Sequence, residues 1–130
     1  MNFYEKCLEK LREAIMTYFR EQNDEFLRKI PVHLVSTTPA GQPLPYILIE
    51  ARDFKKRREC VTLRVDVHCY SSPKHSFNGQ EHGLLNHLSW RVTPLSEKHS
   101  MAMQMAKSET FVHPSGICET CAEYQIWIKA

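Results

Sequence analysis

Apolar and polar residues alternate without a break from Val61 to Tyr70. Val61, Leu63, Val65, Val67 and Cys69 share one face, and Thr62, Arg64, Asp66, His68 and Tyr70 share the other. A period of two residues predicts a strand with one buried and one wetter side. A longer period governs the start of the chain. Tyr4, Leu8, Leu11, Ile15, Tyr18 and Phe19 recur at helical spacing, with Glu5, Lys6, Glu9, Lys10, Arg12 and Glu13 on the other side. This predicts an amphipathic helix over residues 3–20, and Asn2 with Glu5 resembles a capping box at its start. The polar run from Arg20 to Glu25 ends that helix or carries it into a looser turn.

Residues 30–35 read as a short strand, with Pro31 at the entry, where a missing N–H is tolerable. Residues 37–45 hold three prolines and a glycine and read as a loop, after which Tyr46-Ile47-Leu48-Ile49-Glu50 has the residue types of a second strand. Lys55-Lys56-Arg57-Arg58 reads as a basic turn leading into the alternating strand. Beyond Pro73, Asn78 with Glu81 starts a second helix over about residues 80–92, with Leu84, Leu85, Leu88 and Val92 as its apolar face. Gly83 weakens that helix and Pro94 stops it. Met101, Met103 and Met105 alternate with small or polar residues, which points to a strand. Pro114-Ser115-Gly116 reads as a turn, and Tyr124, Ile126 and Ile128 mark a closing strand over about residues 122–128. Short turns between strands favour antiparallel pairing. The expectation is therefore one α+β domain over residues 1–130, with a mostly antiparallel sheet of about four to five strands and two helices packed on one face.

Composition changes little in this picture. The chain has 130 residues, 42% of them hydrophobic and 25% charged, which is ordinary for a folded domain. A net charge of +2 is too weak to imply a nucleic-acid partner. No stretch approaches the roughly 20 apolar residues of a membrane span, and the first residues lack the layout of a signal peptide. The expected location is the compartment of synthesis. Five irregularly spaced cysteines fit reduced thiols better than a disulfide framework.

The chain contains no serine nucleophile elbow, P-loop or dinucleotide fingerprint, in keeping with its four glycines. Cys118-Glu119-Thr120-Cys121 is the main candidate for chemistry, because two thiols in a turn supply half of a zinc site. His113, His99 or the group Cys60, His68 and Cys69 could complete it, but no second paired element is present. The competing expectation is two incidental thiols in a turn before the last strand. His82 and His87 stand five apart, about 140° around a helix, which is a solvated face and not a metal pair. A His/Cys enzyme site would have to be assembled by the fold, as a pocket gathering His68, Cys69 or other thiols with strongly perturbed pKa values. No cofactor is expected.

The run from Pro43 to Glu50, a charged gap, and then the run from Val61 to Tyr70 resembles the tail-completion and tail-terminator (neck) proteins of long-tailed bacteriophages and prophage-derived particles. Those proteins show an N-terminal helix, a variable loop, a Pro-Tyr-Ile strand, a strongly alternating strand, a helix and a closing strand, an order matched over most of this chain. The sequence-specific part covers residues 43–70. The resemblance implies a non-enzymatic structural role: a homo-oligomeric ring, often of six, at the end of the tail tube, touching tail-tube and head-connector proteins. It further implies assembly in the cytoplasm and residence in a virion or phage-like particle. Heterologous interfaces that close by rotation build such rings. Loop residues Thr37, Thr38 and Gln42, the basic residues Lys55, Lys56, Arg57 and Arg58, and the strand residues Arg64, His68 and Tyr70 are the candidate contact surface, by their loop chemistry and wet-face position. The alternative is a small zinc-binding or regulatory module using Cys118 and Cys121.

Overall fold

A computed structural model describes residues 3–34 and 41–129. Its elements run α1 (Phe3–Glu21), α2 (Glu25–Arg28), β1 (Val32–Leu34), β2 (Tyr46–Lys56), β3 (Cys60–Ser71), α3 (Glu81–Leu88), β4 (Val92–Pro94), β5 (Ser100–Val112) and β6 (Cys118–Lys129). The strands form one sheet in the order β1-β2-β3-β6-β5-β4. All neighbours are antiparallel except β1, which joins β2 in parallel.

The alternating segment becomes β3, flanked by β2 and β6. Leu63, Val65 and Val67 face one side, level with Ile126, Tyr124 and Ala122 of β6 and with Ile49 of β2. Cys7, Leu11, Ile15 and Phe19 of α1 and Leu84, Leu85 and Leu88 of α3 cover that side, all of them almost fully buried. Burying each large side chain contributes roughly 1.5–3 kcal/mol, so this single cluster dominates the stability of the fold. Two long hairpins, β2–β3 and β5–β6, therefore show one face to the helices and the other to solvent.

The α+β arrangement matches expectation, but the described residues hold three helices and six strands, more than the two helices and four to five strands expected. The extra helix, α2, follows the polar run after α1. Asp24 caps it by accepting a hydrogen bond from the Phe26 N–H, and Leu27 is buried. The second helix stops at Leu88 and not at Val92, because Ser89 is extended and Trp90 adopts a left-handed backbone (φ 62°). Val92 to Pro94 instead form the edge strand β4, where proline leaves no ladder bond unmade. The first strand begins at Val32, and its expected last residue, Val35, lies outside the described residues. The Met-rich strand exists and continues to Val112. The turn at Pro114 is as expected, closed by the Gly116 N–H bonding to the His113 carbonyl. The last strand, however, begins at Cys118, so the two cysteines expected in a turn lie within β6.

Candidate functional site

That shift decides the fate of the thiol pair. Side chains alternate along a strand, so residues three apart point to opposite faces. Cys118 pairs across the sheet with Ser71 and Val112, while Cys121 pairs with His68 and Glu109. Cys118 and Cys121 therefore cannot present both sulfurs to one ion, and the expected half-site is not formed.

The open face of the sheet gathers a different set. Register places His68 level with Cys121, Tyr70 with Glu119, and Asp66 with both Glu123 and Glu50. Diagonal neighbours then come into reach. His68 Nδ1 lies 2.8 Å from Glu119 Oε2, and His113 Nε2 lies 2.9 Å from Glu119 Oε1, so one carboxylate holds two rings. His68 Nε2 is buried and lies 3.3 Å from Glu50 Oε2, but at an angle that makes no hydrogen bond. Next along the face, Arg52 Nε lies 3.3 Å from Asp66 Oδ2, and the Arg52 guanidinium also donates to Glu123. Arg64 Nη1 stands 3.7 Å from that same Glu123 carboxylate. Tyr70 stacks on His68 and lies tilted against Tyr46, with ring centroids 5.8 Å and 5.0 Å away. Arg52, Asp66, His68, Glu119, Cys121 and Glu123, with Lys107, Glu109 and Phe111 from β5, line a cleft of about 220 Å³.

The electrostatics follow from crowding carboxylates on a half-covered surface. Burial pushes the Cys121 thiol up to about 12, helped by the surrounding Asp66, Glu119, Glu109 and Glu123. Burial, then Glu119 and other neighbours, likewise push the Tyr70 phenol up to about 12. Burial also raises Glu119, yet hydrogen bonds from His68 and His113, with their charge, outweigh it and hold that carboxyl below its ordinary value. Asp66 goes the other way: burial raises it, and Arg52 and His68 offset this only in part. A thiol held this high is not an activated nucleophile, since only the thiolate attacks. The fold does bring a histidine and a cysteine together, but the cysteine is Cys121. Cys69 lies buried on the opposite face, its thiol raised by desolvation.

The remaining candidate residues spread over the molecule. Thr37 and Thr38 lie outside the described residues. Gln42 is tied back to β1 through a 2.7 Å hydrogen bond between its Oε1 and His33 Nε2. Lys55 and Lys56 end β2 and Arg57 and Arg58 form the turn, all exposed. Lys55 and Arg57 share a shallow polar cleft with Arg64, Asp53, Thr62 and Gln125. His82 and His87 are exposed on α3, with the His87 ring against Tyr18. Glu119, Glu123 and Arg52 are the functional residues that sequence reasoning misses. For the two glutamates the signal is the alternation Glu119, Cys121, Glu123, Gln125, hidden when residues 118–121 are read as a turn; Arg52, on β2, carries no such signal.

No protein-family model matches the chain, and no curated protein matches it in sequence. Among the described residues, no helix is long and apolar enough to cross a membrane.

Proposed function

We propose that this chain is a structural assembly protein of the phage-tail completion or terminator kind, acting through ring-forming contacts between its own copies. One observation carries the reading: among the described residues, the sheet has a long unpaired edge on each side. Among the described residues, β1 covers β2 only at residues 47–49, and no described strand pairs with the outer edge of residues 50–56. β4 covers β5 only at residues 100–102, and the segment after α3 adds bonds only as far as Met105, so the outer edge of residues 107–112 is open as well. Open edges on opposite sides suit a heterologous interface, in which one edge of each copy meets the other edge of the next. Phe111 and Val112 stand exposed on the β5 edge, apolar surface of the kind a partner covers. The exposed basic residues 55–58, at the end of β2 and in the turn after it, and the open face with Arg64, His68 and Tyr70 supply further contact surface toward tail-tube and head-connector proteins.

Light scattering coupled to size-exclusion chromatography over a concentration series tests this, with binding to tail-tube subunits as a second arm. The expected result is a closed oligomer that Phe111→Asp with Val112→Asp dissociates while leaving the circular dichroism spectrum intact. A strict monomer at high concentration that also ignores tail-tube subunits would sink the reading.

A further inference from the structure

We propose that Cys121, Glu119 and His68 bind a divalent transition-metal ion of the zinc class on the open face of the sheet. One donor atom from each of the three lies within 4.8 Å of the others. A tetrahedral zinc ion with bonds of about 2.0–2.3 Å sets its donors roughly 3.3–3.8 Å apart, so no pair need draw in by more than about 1.5 Å. His68 Nδ1 and Glu119 Oε2, now 2.8 Å apart, must separate by roughly 0.5–1 Å to admit the ion. The frame is rigid, because His68 and Cys121 face each other on β3 and β6, in the middle of the sheet. A sulfur, an imidazole nitrogen and a carboxylate oxygen form a borderline set that suits zinc or cobalt and not magnesium or calcium, which prefer oxygen alone.

The surrounding partners are those a metal-bound histidine and carboxylate need. An ion seated between His68 Nδ1 and Glu119 Oε2 replaces the proton those atoms now share across 2.8 Å. The ring then carries its proton on Nε2, the buried atom that has no hydrogen bond and lies 3.3 Å from Glu50. That orphan nitrogen becomes a donor toward a carboxylate, the usual outer partner of a ligating histidine. Glu119 keeps Oε1 for His113, which fixes the orientation of the carboxylate. Asp66 and Glu109 add negative charge at the cleft, opposed by Arg52 and Lys107, which line it as well. The carboxylates of Asp66, Glu109 and Glu123, which line the cleft with Cys121, favour a nearby dication. The cleft leaves room for water as a fourth ligand. The rival account is a solvated hydrogen-bonded chain, His68–Glu119–His113, with Cys121 a bystander.

Thiolate dependence separates the two. Cobalt(II) added to the purified chain, with the metal alone as probe, is followed by its sulfur-to-metal charge-transfer absorption and by metal content after desalting. The expected result is one equivalent bound, displaced by zinc, with the absorption lost in Cys121→Ser and kept in Cys118→Ser. His68→Gln is expected to weaken binding at least about tenfold, and Glu50→Gln to weaken it less. The proposal is overturned if wild-type protein gives no charge-transfer absorption, or if Cys118→Ser removes it and Cys121→Ser does not. Wild-type titration and the near-isosteric Cys121→Ser decide the matter even if His68→Gln fails to fold.

Discussion

The phenol of Tyr124, on β6, donates a hydrogen bond to the backbone carbonyl of Leu85, on α3. Leu85 lies in the last turn of its helix, where carbonyls have no intrahelical partner, and both residues are buried among the core side chains. The bond thus joins helix to sheet and satisfies a carbonyl that water cannot reach. Tyr124→Phe keeps the ring and removes only this bond, so it should cost about 1–3 kcal/mol. Urea unfolding should show a lower midpoint at unchanged slope, whereas an unchanged midpoint would mean that the carbonyl finds another donor.

Gly83 explains itself through Tyr18. A Cβ built at Gly83 would stand 2.6 Å from Tyr18 Oη, while the next ring atom is 3.8 Å away. The glycine is therefore a passage for one hydroxyl and not a demand on backbone conformation. Gly83→Ala should gain nothing or destabilise, because Tyr18 must shift from its place beside Gln80 and His87. Combined with Tyr18→Phe, which removes the obstructing oxygen, the same alanine should stabilise by about 1 kcal/mol through helix propensity. Additive thermal shifts across the double-mutant cycle would refute the contact.

The five cysteines should separate by reactivity. Cys7 and Cys69 are buried on the helix-covered side, and desolvation raises both thiols, Cys7 to about 12. Neither should react with a thiol reagent until the protein unfolds. Cys60 and Cys118 are half-exposed and should label first, with Cys121 slower because its thiolate is suppressed. Peptide mapping after brief alkylation checks the order. Rapid native labelling of Cys69 would mean that β3 is not packed as described.

Periodicity made β3 and α1 legible, because Val61 to Cys69 and Tyr4 to Phe19 each repeat long enough to fix a period and a buried face. It failed where a segment's identity rests on partners far away in sequence. Val92 reads as the next position of a helical stripe, but the extended backbone at Ser89 and the positive φ at Trp90 turn the chain into an edge strand against β5. Cys118 and Cys121 read as a paired motif because motif spacing ignores the pleat. Once β3 recruits residues 118–129 as a neighbour, alternation separates the two sulfurs and sets Cys121 against His68. His68 stood out from the start as a wet-face residue, whereas Glu119 could not, since its role depends on two histidines 51 and 6 positions away.

The ion pairs beside that cleft make an asymmetric prediction. The Glu123 carboxylate is only 10% exposed and faces both Arg52 and Arg64, whereas the Arg52 side chain is 44% exposed. Removing the buried partner's charge leaves a solvated arginine that water still serves, so Glu123→Gln should be mild. Removing the exposed partner leaves Glu123, among the described ion pairs, with the more distant Arg64 and strips Asp66 of the guanidinium beside it. Arg52→Met should therefore destabilise more than Glu123→Gln, although Arg52 is the more exposed residue. Adding Glu123→Gln to Arg52→Met should recover part of the loss, because the stranded carboxylate is then neutral. Midpoints from chemical denaturation of the three variants check the order. A double variant less stable than Arg52→Met alone would show that Glu123 is held by something other than these guanidinium groups.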